Sequence, residues 1–148
     1  MTIAANPYAE YKKTQIETAT PEQLILMLYD GAIKFLVQAK IKINNKDPKK
    51  IEECNNSLIR AQDIIYELIK SLDMERGGDI AQNLFSLYEF MLHQLMQANM
   101  DKDPKPITVV LTMIKDLRDT WTEVMKLQQQ ESQKRQLPQE KSRFCISI

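Results

Sequence analysis

The chain has 148 residues, of which 43% are hydrophobic and only three are glycine, a single-domain length with enough apolar material for a real core. Lysine plus arginine number 20, as do aspartate plus glutamate, so no net field directs the chain to nucleic acid or an anionic membrane. Cys54 and Cys145 are distant and form no CxxC pair, which gives neither a disulfide framework nor a zinc site.

The start, MTIAANPYAEYKK, lacks the basic and apolar regions of a secretory signal. Residues 1–19 hold NPYAEY and a short amphipathic stretch, too short to stand as an isolated helix. TPEQ then reads as a helix start, with Thr20 as N-cap, Pro21 at the first position and Gln23 completing a capping box. Leu24, Leu28, Gly31 and Phe35, with Ile25, Ala32, Leu36 and Ala39 beside them, carry helical spacing through the Asp-Gly pair of MLYDGA. That period opposes a hairpin and predicts one helix to about Asn45. Glycine inside a helix costs roughly 1 kcal/mol relative to alanine, so Gly31 predicts the close approach of a neighbouring helix. The longest apolar run, LILMLY, is far too short to span a membrane, and a cytosolic location is expected.

NNKDPKK breaks the pattern, after which Asp47 caps and Pro48 opens a second helix reaching about Met74. Its heptad is Ile51, Cys54, Leu58, Ala61, Ile65, Leu68 and Leu72, and RGGD should end it with Gly77 in the left-handed conformation. A third helix from about Asp79 to Asn99 carries Ala81, Leu84, Tyr88, Met91, Leu95 and Ala98. After DKDPKP a fourth begins at Pro106 or Ile107 with Ile107, Val110, Ile114, Leu117, Trp121 and Val124. From Gln128 the chain turns polar and low in complexity, which predicts disorder. It closes with FCISI, whose CISI departs from a prenylation box by carrying Ser at the third position. The expected organisation is all-α: a short N-terminal helical segment within a lid over 1–19, an antiparallel four-helix bundle over 20–128, and a flexible polar tail over 129–148.

Catalytic chemistry finds no foothold. A di-iron bundle needs Glu-x-x-His pairs, whereas Glu89 and His93 lie four apart and read as a surface pair. One histidine excludes HExxH, and three glycines build no phosphate-cradling loop. Cys54 falls on the core face, and Asp116, Arg118 and Asp119 read as an ion-pair set. No enzyme, metal or cofactor is expected.

An excess of apolar residues remains. Ile59, Ile64, Tyr66 and Ile69 lie off the second helix's heptad; Phe85, Leu87, Leu92 and Met96 lie off the third's; the first adds Ile25, Met27, Tyr29, Ile33 and Leu36. These residues broaden an ordinary core, lie under the N-terminal segment, or form a groove for an amphipathic helix or extended apolar segment. For the set as a whole the groove is favoured. Met27, Met91, Met96 and Met100 suit an adaptable surface.

NPYAEYKKTQIETATPEQLILMLYDGAIKFL, LIRAQDIIYELIKSLDMERGGDIAQNLFSLYEF, QANMDKD and IKDLRDTWTEV follow in order over about Asn6 to Leu127. Together they closely resemble the FliS family of flagellar export chaperones. The resemblance implies a cofactor-free antiparallel helical bundle in the bacterial cytosol. It implies binding of the C-terminal segment of flagellin, which is unfolded in the monomer and helical in the filament. It further implies contact with a component of the flagellar export gate, without insertion into the membrane; regulatory protein partners stay open. In relatives the NPYAEY segment packs on the bundle and rearranges on client binding, which casts Tyr8 and Tyr11 as lid or client contacts. The remaining expected client contacts are Met27, Gly31, Ile64, Leu68, Leu84, Leu87, Tyr88, Met91 and Leu95. The alternative is a dimeric scaffold or a sequestering regulator using the same apolar surface.

Overall fold

The start signals in the sequence are realised as hydrogen bonds. A computed structural model describes residues 7–146, the side chains of Tyr8 and of 136–146 excepted. Five helices follow one another: α1 (Pro7–Thr18), α2 (Pro21–Lys42), α3 (Pro48–Lys70), α4 (Gly78–Asp101) and α5 (Pro104–Ile146). At α2 the Thr20 hydroxyl accepts from the Gln23 amide at 3.2 Å and the Gln23 side-chain oxygen accepts from the Thr20 amide at 3.0 Å. At α3 the Asp47 carboxylate accepts from the Lys49 amide at 3.1 Å. Each bond satisfies a backbone donor that the first turn leaves without an intrahelical partner.

The turn between α3 and α4 corrects one expectation. Gly77 is not the left-handed cap: its φ is −76°, and α3 has already ended with Ser71 in the right-handed region. The left-handed residue is Gly78, φ 55°, which opens α4. Gly77 is needed for space instead. A Cβ there would lie 2.5 Å from the Ala81 Cβ and 2.7 Å from the Asp73 carbonyl oxygen, too close for any side chain.

Helices α2 to α5 form a ring in which α2 packs on α3, α3 on α4, α4 on α5 and α5 back on α2. Short connections between successive helices make this an antiparallel four-helix bundle. Its centre is filled by Leu36, Leu58, Ile65, Leu68, Tyr88, Met91, Leu95, Ile107 and Ile114, all essentially inaccessible to solvent. The heptads of α3 and α4 and the first half of α5's stripe point inward as their spacing requires.

The stripe of α2 is rotated relative to expectation. Its buried residues are Tyr29, Ala32, Leu36, Ala39 and Ile43, while Leu24, Leu28, Gly31 and Phe35 are half-buried. Tyr29 and Leu36 are therefore core, not surplus. The reason is that α2 packs on both α3 and α5, so its apolar arc is broad and two adjacent stripes share it.

The far end also differs. The tail is not a coil: α5 continues through it to Ile146. Gln, Glu, Lys and Arg are good helix formers, and neither Gly nor Asn follows Leu127 to provide a C-cap. Residues 127–135 are exposed along this extension. The side chains of FCISI lie outside the described residues. Helix α1 is likewise exposed throughout its described side chains.

Candidate functional site

Helical phase decides which surplus residues reach the surface. On α3, Cys54, Leu58, Ala61, Ile65 and Leu68 face inward, so Ile59 and Tyr66 fall on the opposite arc, shifted toward α4. They are 52% and 53% exposed. On α4 the buried residues are Ala81, Tyr88, Met91, Leu95 and Ala98, which turns Met96 and Met100 toward α3 and Leu87 toward α5. Met96 is 55% exposed and Met100 72%. Phe90 and Ile80 on α4 are exposed as well. An α-helix that is apolar on several sides is expected to be covered, and α4 is open to solvent on both flanks.

The α3–α4 flank carries exposed apolar side chains from both helices, with half-buried Asn55, Gln62 and Asn99 among them, along the furrow between the two helices. Lys102, just past α4, donates from Nζ to Asn55 Oδ1 on α3 at 2.7 Å, which fixes the antiparallel register. Ile59 then stands level with Met96 and Met100, and Tyr66 near Leu92, one helical rise at a time. Half-buried Ile69 and Leu92 form its floor against the core. Flexible methionines at the rim give a surface that adapts to apolar partners of different shape. The second flank, between α4 and α5, carries Leu87 and Ile80 with half-buried Leu117.

The expected contact residues separate into three groups. Leu68, Tyr88, Met91 and Leu95 are buried to 2% exposure or less and belong to the core, where a docked segment would not touch them. Gly31 and Ile64 meet each other at the α2–α3 interface, a Cβ on Gly31 standing 3.2 Å from Ile64 Cδ1. Leu84 is half-buried, Met27 is half-buried on α2 away from the furrow, and Leu87 and Tyr11 are exposed. The Tyr8 side chain lies outside the described residues. Phe90, Ile80 and the role of Ile59 escaped the sequence reading. The available signal was phase: Ile59, Ile80 and Phe90 each lie one position from an inward-facing residue, off the buried stripe of their helix.

The polar interior explains Tyr88. Its hydroxyl lies 2.7 Å from that of Tyr29, a buried hydrogen bond joining α4 to α2. Burial pushes both phenols above their ordinary pKa, so the pair is neutral. Burial likewise raises the Cys54 thiol, which donates to the Ala39 carbonyl oxygen at 3.5 Å. At the surface, Lys42 bonds Glu53 at 3.0 Å and holds its carboxyl below the usual range. Arg118 pairs with Asp30 on α2 and with adjacent Asp119, at 3.6 and 3.2 Å; the Lys42–Glu53 and Arg118–Asp30 pairs tie helices, and the Arg118–Asp119 pair lies within α5. Among the described residues no group of three or more His, Cys, Asp or Glu side chains is placed to hold a metal ion. No helix among them is long and apolar enough to cross a membrane.

The family described as "Flagellar protein FliS" matches residues 4–128. A "Flagellar secretion chaperone FliS" of Bacillus subtilis is 36% identical over 120 residues, covering 81% of this chain and 86% of that protein. Its namesake from Vibrio cholerae is 38% identical over 119 residues, covering 77% and 85%. That from Salmonella typhimurium is 35% identical over 113 residues, covering 76% and 82%. The matched region ends where the solvated extension of α5 begins.

Proposed function

The chain belongs to the FliS family of flagellar secretion chaperones, a chaperone family and not an enzyme family, and from that premise we propose that it binds the C-terminal segment of flagellin in the cytosol. The observation that carries this reading is the apolar surface flanking α4, where Ile59, Tyr66, Met96 and Met100 stand more than half exposed around the α3–α4 furrow. An amphipathic segment laid there hides its own apolar face and that of α4 together. Each Å² of apolar surface removed from water contributes about 25 cal/mol, less the cost of ordering the client. A client so covered is kept from premature polymerisation and remains fit for export. Release at a component of the membrane export gate completes the same role.

Helix α1 acts as the lid. It has 12 residues, is exposed, and is tethered to the bundle by Ala19 and Thr20. A short tethered helix competes at high effective concentration and must bind weakly to be displaced. Tyr8 and Tyr11 are the residues assigned to it as lid or client contacts.

The test is a variant carrying Ile59→Glu and Met96→Glu. Charges on the furrow should weaken binding of the flagellin segment by at least about tenfold and leave thermal unfolding unchanged, because both sites are surface positions. Undiminished binding would remove the furrow from the account. A wild-type chain that sediments as a dimer, with the variant monomeric and neither binding flagellin, would make this face a self-association surface instead.

A further inference from the structure

Among the described residues, the cation at the end of the furrow is held by amides and not by a carboxylate. Lys102 follows α4 in the left-handed region, φ 51°, where Gly or Asn fits most easily. Its Nζ lies 2.7 Å from Asn55 Oδ1 on α3 and 2.7 Å from Asn99 Oδ1 on α4. The ammonium thus bridges the two helices at the level where Ile59 faces Met96 and Met100. Both acceptors are neutral. The flanking carboxylates are engaged elsewhere: Asp101 accepts from Gln97 Nε2 at 3.1 Å and Asp103 from the Lys105 amide at 3.0 Å. An ammonium has three N–H donors, so two amide bonds leave one donor and the full charge uncommitted.

We propose that Lys102, held by Asn55 and Asn99, anchors the terminal carboxylate of the segment bound in the α3–α4 furrow and so fixes its direction. The inference rests on the flagellin reading and deepens it. A free carboxylate satisfies the remaining donor with a charge-assisted hydrogen bond. The C-terminal end of a bound helix carries the negative pole of the helix dipole, which adds to the attraction. The client's last turn therefore lies at the Asn55–Lys102 end and its chain runs back along Ile59 and Tyr66.

The test titrates the full chain with a synthetic peptide of the flagellin C-terminal segment, prepared as free acid and as carboxamide. The acid should bind about fivefold more tightly at low salt, as befits a partly solvated charged contact, and the ratio should approach one at about 1 M salt. Lys102→Asn keeps a residue that tolerates the left-handed conformation. It should bind both peptides equally. Equal binding of acid and amide by the wild type would overturn the anchor, as would a difference that survives Lys102→Asn; a lysine that merely staples α3 to α4 gives the first of these results. Binding of neither peptide would instead remove the flagellin reading on which the anchor stands.

Discussion

Replacing Tyr88 by Phe separates a core role from a client-contact role at one hydroxyl. The Tyr88 oxygen is 2.7 Å from that of Tyr29, and the two side chains are 2% and 4% exposed. Tyr88→Phe removes the bond and leaves the Tyr29 hydroxyl buried without its partner, a loss of about 1–3 kcal/mol. For a chain of this length, 1 kcal/mol corresponds to roughly 2–4 °C in Tm, so the midpoint should fall by about 5 °C. Tyr29→Phe should cost a similar amount. The double substitution removes both polar groups together and should lie close to the wild type, giving a coupling energy equal to the two single losses together, about 2–6 kcal/mol. Urea unfolding of the four proteins, followed by circular dichroism at one temperature, measures the cycle. Flagellin-segment affinity of folded Tyr88→Phe should match the wild type. Additive losses, or a single variant as stable as the wild type, would refute the buried pair. Weakened client binding at full stability would return Tyr88 to the client surface.

The same two phenols set an alkaline limit. Burial raises their pKa in the folded chain above the ordinary value of about 10, so the unfolded state loses its protons first. Stability is fully present below that pH and falls as pH rises through it; unfolding midpoints measured across pH 8 to about 11 should decline, and decline less in the double Phe variant. Gly31→Ala should alter stability by less than about 1 kcal/mol, since the gain in helix propensity offsets the 3.2 Å contact with the movable tip of Ile64. Gly31→Leu should cost about 1–3 kcal/mol by overpacking, and denaturant titration reads both. Deleting residues 1–15 should tighten binding of the flagellin segment if α1 only competes; weaker binding would make Tyr8 and Tyr11 direct contacts. Truncation after Arg135 should lower total helical ellipticity without changing the melting midpoint, because α5 is already exposed over residues 127–135.

The sequence was most readable where one rule acted alone. Thr20 with Gln23, and Asp47 with Pro48, fixed two helix starts because the capping bonds are local. The Cys54–Leu68 heptad fixed the inward face of α3 because that helix has one dominant stripe. On α2 two stripes compete, and only its packing between α3 and α5 selects Tyr29 and Leu36. The turn gave the correct residue type at the wrong place: both glycines are needed, Gly77 for space and Gly78 for its backbone angle. Client contacts were the hardest to read. Leu68, Tyr88, Met91 and Leu95 have the hydrophobicity a groove requires, but a core requires the same, and periodicity does not tell a buried arc from a covered one. Lys102 carries no signal in sequence, since its importance lies in an amide forty-seven positions away.

The central claim is that α4's exposed flanks take an unfolded partner and order it. Calorimetric titration of the full chain with the flagellin C-terminal segment, followed in parallel by circular dichroism, tests it most directly. One-to-one binding with a negative heat-capacity change and a gain in helicity is the predicted result. A chain that stays folded and monomeric yet takes up no heat and gains no helix in that titration would contradict it.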